Sequence, residues 1–271
     1  MITLDLRKIT ERKINGTVKF RPVVMSLTIE NELLAIYRDE IIRTWNRAIR
    51  EKIIPAYTLD PLPSRLTTDA DGMQLQWLVD QVDQQINSRI LYQTEKLGRW
   101  VTRVGTYHTE QTISSVKSAT GVDVKPYMVL GDVREILENN IAVNVDLLKN
   151  LEADVKKRVE MVLFDAIAMR RNQKYVVKAL REAMGISYRR ARVIARDQTH
   201  KMNSLLTRLR NEQIGIEAYI WQTMRDDRVR RLHQERQGKV FRWSDPPSDG
   251  HPGYPINCRC HAMAVLDYGE E

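Results

Sequence analysis

The chain has 271 residues, 42% hydrophobic and 29% charged, which is enough apolar material for one large or two ordinary domains and excludes a disordered protein. Lysine and arginine number 43 against 35 acidic residues, a net +8 that points toward a polyanionic partner. The absence of a signal-peptide run or of ~18 consecutive apolar residues excludes a membrane-spanning helix, and two cysteines one residue apart form no disulfide framework, so a reducing cytoplasm is expected.

Residues 1–25 mix short apolar and basic stretches without a period. From Leu27 to about Ile54 the pattern is helical, and Pro55, which cannot continue the backbone ladder, is expected to end it. A connector with Pro61 and Pro63 follows. Beyond Asp71, the residues Leu75, Leu78, Val82, Ile86, Ile90 and Leu97 recur at three, four or multiples of these, which predicts a helix over 71–97. Residues 105–131 hold three glycines and Pro126 and read as a loose boundary.

Between Asp132 and Met184 there is neither glycine nor proline. Leu148, Leu151, Val155, Val159, Val162, Ala166 and Met169 form an apolar stripe, predicting a long helix to about Arg171 and a shorter one over 174–184. Gly185 is the expected stop. Ser187 can cap a further helix through Ala191, Ala195, Met202, Leu205 and Leu209, closed by Gly215. The character then changes. Ala218–Met224 is aromatic and β-branched and predicts a strand, Asp226–Gln237 a short charged helix, and Lys239–Trp243 a second strand. After a Pro-rich loop, Cys258–Leu266 alternates as a third strand, with Cys258, Cys260, Ala262, Ala264 and Leu266 on one face. The expected fold is mainly α with a small α+β C-terminal module, long helices plus a short three-stranded sheet. The expected division is a helical region 1–130, a long basic helical region 131–215 and the α+β module 216–271.

The basic charge is concentrated. Residues 156–210 carry fifteen Lys or Arg and four Asp or Glu, so this segment is +11 and the remainder −3. Arg189, Arg192 and Arg196 fall on one helical face, a ridge suited to releasing counterions from nucleic-acid phosphates or to meeting an acidic protein neighbour. No base-reading motif is present, so nucleic-acid contact would be independent of sequence.

Four of the five histidines and both cysteines follow residue 199. His233, His251, Cys258 and Cys260 supply the thiolate and imidazole donors that zinc prefers, although Cys-x-Cys is tighter than most zinc pairs and two buried apolar thiols would look the same. A hydrolytic reading can draft Asp226, Asp227 and His233, yet acidic residues are also what a helix start selects. No Gly-rich phosphate loop, serine elbow or His-Glu-x-x-His sequence occurs.

The order of these features carries a resemblance. Ala195-Arg-Asp-Gln-Thr-His-Lys-Met-Asn203 on a helix is followed by Gly215, Tyr219-Ile-Trp221, Asp226-Asp-Arg-Val-Arg-Arg-Leu-His233, Gly238-Lys-Val-Phe241, a Pro-Pro loop and Asn257-Cys-Arg-Cys260. Over roughly residues 160–266 this resembles the phage Mu protein F-like family, the minor head proteins of phage head morphogenesis. The resemblance implies a non-enzymatic protein of the virion head, present in multiple copies and acting in procapsid assembly in the host cytoplasm. The partners it implies are the portal protein, the major capsid or scaffolding protein and viral double-stranded DNA, with no membrane. In many similar proteins a Cys-x-x-Cys pair faces the Cys-Arg-Cys strand. Arg230 and His233 stand at those positions here, leaving His233, His251, Cys258 and Cys260 to close a zinc site. Some related domains are joined to toxin enzymes; with the sequence ending at Glu271, no appended enzyme is expected here. Two other readings stay open: a metal-dependent nuclease on Asp226, Asp227, His233 and the cysteines, and a nucleic-acid-binding protein without a virion role.

Overall fold

In the computed structural model, residues 4–10, 14, 16–57, 68–128 and 130–268 are described. The elements in chain order are α1 (Leu6–Ile9), β1 (Thr17–Lys19), α2 (Leu27–Tyr37), α3 (Arg43–Ala48), α4 (Ile54–Ala56), α5 (Thr68–Ile90) and α6 (Thr94–Thr120). After these come α7 (Arg134–Ala168), α8 (Gln173–Gln213), β2 (Ala218–Gln222), α9 (Arg231–Gln234), β3 (Val240–Arg242) and β4 (His261–Asp267). The fold is mainly α with a small sheet, as the sequence predicts, except that the sheet has four strands. No helix among the described residues is long and apolar enough to cross a membrane.

Two compact units emerge, each assembled from separated stretches of chain: residues 1–31, 98–141 and 196–271 form one, residues 32–97 and 142–195 the other. The boundaries expected at 130 and 215 both fall inside the first unit. Both follow local composition along the chain, whereas the units gather stretches distant in sequence.

The second unit is all helix. Its leading edge, α2 to α4, is continuous because π turns at Arg38–Ile42 and Ile49–Ile53 join the α segments. Leu33, Tyr37, Ile41, Trp45, Ile49 and Ile53 are all buried and step by four. At ~100° per residue a regular α-helix would drift by roughly 40° at every such step. The two wider turns take out that drift and hold one side to the core. The second π turn also carries the helix past Pro55, which sits inside α4 rather than ending the helix before it. The connector with Pro61 and Pro63 lies outside the described residues.

Leu75, Val79, Val82, Ile86 and Ile90 of α5 and Leu148, Leu151, Val155 and Val159 of α7 complete this core. Tyr37 donates from its hydroxyl to Asn144 Oδ1 at 2.9 Å, and Tyr57 to the Arg171 carbonyl at 2.7 Å. Lys156 on α7 reaches Asp80 and Asp83 on α5, each at 2.9 Å.

Two sequence expectations are corrected along the helices. Residues 105–120 continue α6 rather than loosening, since Val104, His108, Thr112 and Val116 bury one face. Gly185 does not end a helix: α8 runs unbroken for 41 residues. Ala183, Met184 and Ser187 around it are buried, and that packing outweighs the ~1 kcal/mol that a mid-helix glycine costs. A Cβ at Gly185 would meet only Arg189 Nη1, at 3.7 Å. Gly185→Ala is therefore expected to stabilise the protein by about 0.5–1 kcal/mol, read as a higher urea midpoint at unchanged slope.

The first unit holds the sheet, in order β1-β4-β2-β3, antiparallel throughout. Alternation buries one face: Tyr219 and Trp221 of β2 lie opposite Ala264 and Ala262 of β4, so that small residues make room for large rings. Toward one end this face joins Leu6, Phe20, Val116, Ile214 and Ile216. Toward the other it joins Trp243, Cys258 and Cys260. Gly215, at φ +76°, ends α8 where a Cβ would come within 3.0 Å of the Leu4 carbonyl. Only glycine suits both the angle and that approach.

Candidate metal centre and cationic helix face

The charged helix expected over 226–237 is shorter than its sequence implied. Residues 226–229 form a turn, and only Arg231–Gln234 is helical, entered through an extended Arg230. The short helix nevertheless presents His233 inward, where it is 2% exposed, with the Trp221 ring edge-on at 5.1 Å. The cysteines precede β4 instead of lying in it. Asn257 at φ +56° turns the chain so that both thiols point at the same imidazole. Cys258 Sγ lies 3.5 Å and Cys260 Sγ 3.6 Å from His233 Nδ1.

The far side of the imidazole is fixed as well. His233 Nε2 donates to Asp249 Oδ2 at 2.9 Å, and Arg236 holds the other oxygen of the same carboxylate while lying over the Trp221 ring. Burial works against ionisation of Asp249, but the hydrogen bonds from His233 and Arg236 prevail and keep its carboxyl below the ordinary value. The hydrogen bond from Cys260, helped by backbone N–H groups of Cys260 and Gly253, pulls Cys258 down to about 6. Donating that bond, together with burial, pushes Cys260 up.

His233, Cys258 and Cys260 thus form a group whose donor atoms lie within 4.8 Å of one another. His251, expected as a fourth ligand, is not brought to them. Its Nδ1 is 3.0 Å from the Tyr219 hydroxyl and its ring packs on Trp243. Asp226, drafted for hydrolysis, accepts a two-pronged bond from Arg259, 2.7 Å on each side, which lowers its pKa; Asp227 is exposed. The three-residue group opens on a cavity of about 200 Å3 lined also by Arg228, Val229, Arg230, Asn257 and Arg259.

The three arginines singled out on α8 differ in setting. Arg189 and Arg192 are exposed, whereas Arg196 is half-buried and donates to Asn257 Oδ1 at 2.8 Å. With Gly185 inside the helix, Lys174, Lys178 and Arg181 come into line with Arg189 and Arg192. Their offsets place all five within ~80° of one another around the axis and along roughly 27 Å of it. All five are exposed, and among the described residues none of them has an ion pair. By contrast Arg190, on another side of α8, pairs with Asp154 at 2.9 Å.

Sequence reasoning missed Asp249, Trp221 and the lysine half of this stripe. The first two carry no local signal, because their roles come from the register of the sheet and the path of a loop. The lysine half was legible in the three-and-four spacing once Gly185 no longer breaks the helix.

Over residues 157–263, which take in α8 and the whole three-residue group, the chain matches the family described as phage Mu protein F like protein. It is also 27% identical over 281 residues to an uncharacterised protein of Haemophilus influenzae, covering 99% of this chain and 60% of that protein. The chain therefore spans about three-fifths of the length of the curated relative it matches. No solved structure matches it.

Proposed function

We propose, from the phage Mu protein F-like segment at residues 157–263, that the chain is a minor head protein of a tailed phage. It acts in procapsid assembly, contacts the portal and the packaged DNA, and works by binding rather than by chemistry. The observation that carries the DNA contact is the stripe on α8. Five exposed cations without ion pairs among the described residues face one way along α8, which is the arrangement a phosphate backbone neutralises. Arg189, Arg192 and Arg196 lie at its C-terminal part, with Arg196 held by Asn257 as its anchor to the 257 loop. Nothing on this face reads bases, so the contact is set by charge and is independent of sequence.

The test for DNA contact is retention of duplex DNA as a function of salt. Changing Lys174, Lys178, Arg181, Arg189 and Arg192 to Glu should flatten the slope of log K against log salt by about 4.5 units, at about 0.9 per lost phosphate contact. Arg196 is left in place so that the 257 loop is undisturbed. An unchanged slope would remove DNA from the reading. For the head role, co-expression with the portal protein should give co-elution in a fixed ratio that survives high salt. Separate elution, with DNA retention intact, would favour a nucleic-acid-binding protein without a virion role.

A further inference from the structure

We infer that His233, Cys258 and Cys260 bind one zinc ion, with the fourth coordination position open to the arginine-lined cavity. Three observations carry this. The first is spacing. With Zn–N near 2.05 Å and Zn–S near 2.3 Å, a tetrahedral ion separates its nitrogen and sulfur ligands by about 3.6 Å. The imidazole nitrogen stands 3.5 and 3.6 Å from the two sulfurs, so both nitrogen–sulfur edges already have the length that figure requires.

The second observation is the support behind the imidazole. A metal-bound histidine characteristically gives its other ring N–H to a carboxylate, which fixes the tautomer and turns the free lone pair toward the ion. Asp249 takes that place at 2.9 Å and is itself held by Arg236. His233 is thereby aimed, through Nδ1, at the sulfurs. The third is the donor set. Two thiolates and one imidazole suit zinc and not magnesium or calcium, which demand oxygen. A doubly charged cation with two thiolates is neutral, so its burial leaves no uncompensated charge.

His251 is not the fourth ligand, because it lies outside the group whose donor atoms fall within 4.8 Å of one another. The open corner faces the cavity bounded by Arg228, Arg230 and Arg259, where water or an anionic oxygen completes the coordination. The ion joins α9 to the segment entering β4, closing a link between two parts of the module that are 25 residues apart at their nearest ligands. The inference is independent of the head-protein reading and stands or falls without it.

The experiment uses the full chain, stripped with a chelator and titrated with zinc against a chromophoric competitor. One equivalent is expected, with a rise in melting temperature on binding. Cobalt(II) in its place should give the visible bands of a tetrahedral ion and near-ultraviolet thiolate-to-metal charge transfer. Cys258→Ser and Cys260→Ser should abolish both signals, and His251→Gln should leave them intact. Asp249→Asn, which touches no ligand atom, should weaken affinity roughly 10–100-fold at unchanged circular dichroism. If the serine variants fail to fold, the cobalt spectrum of the unaltered chain decides alone. Absence of thiolate charge transfer there, or loss of binding in His251→Gln, overturns the inference.

Discussion

Glu152→Gln is expected to flatten the stability of the helical unit against pH and to make the variant the more stable protein above about pH 8. Glu152 is 2% exposed on α7. Burial, with the Asp83 carboxyl group beside it, raises its pKa from an ordinary 4.5 to about 8. Asp83 itself pairs with Lys156 at 2.9 Å. Between pH 4.5 and 8 the native state keeps a proton that the unfolded chain has released. The unfolded state then binds fewer protons, and stability falls as pH rises. The contribution is fully present below about pH 4.5 and is lost on passing through 8. A shift of this size corresponds to at most ~5 kcal/mol, and sharing with Asp83 reduces it to a few. Glutamine keeps the shape and the donor but cannot ionise. Urea denaturation at pH 6 and pH 9 checks it. The native protein should lose a few kcal/mol more between the two than the variant does, and parallel losses would refute the assignment.

Trp221→Ala should be the most damaging single change in the sheet unit, costing about 3–5 kcal/mol. Trp221 is fully buried on β2, opposite Ala262, and closes the wall of the His233 pocket at 5.1 Å. Phe241 packs edge-on against it at 5.9 Å, and Arg236 lies over its ring at 4.9 Å. Alanine opposite Ala262 leaves a cavity that no neighbour is large enough to fill, and it frees Arg236 from the position in which it holds Asp249. A drop in urea midpoint with loss of the near-ultraviolet dichroism of the aromatic cluster is the expected result. Trp221→Phe, which keeps the ring, should recover most of it. Equal losses for the two variants would show that the effect is not one of volume.

The helices were legible wherever their apolar period ran long. Leu75, Val82, Ile86 and Ile90, and Leu148, Leu151, Val155 and Val159, mark core faces that the structure buries as read, whereas Leu78 and Val162 are half-buried and Met169 is exposed. The errors came from single residues taken as punctuation. Gly185 is a local breaker by propensity and is overridden by its buried neighbours, whereas the helix read as ending near Ile54 does end two residues later, at Ala56. β1 was illegible because Thr17-Val-Lys19 is too short to show alternation and has no apolar side chain on both sides of Val18. It exists only because β4 offers it an edge. Of the candidate ligands, three of four converge. The residue-type argument named them, but distance separates His251, and distance depends on a loop whose path no spacing rule encodes. The carboxylate behind His233 was hidden for the same reason.

The pairing of β1 with β4 sets a timetable for biosynthesis. Thr17 meets Asp267, and Lys19 meets Val265, so the first strand emerges from the ribosome roughly 240 residues before its partner. At about 5–20 residues per second, that is a wait of roughly 12–50 s. The all-helical unit needs nothing beyond residue 195 and can close well before the sheet is complete. The nascent chain must therefore keep Phe20 and the neighbouring apolar residues shielded for most of translation. That interval is when a chaperone or an assembly partner has the freest access to them.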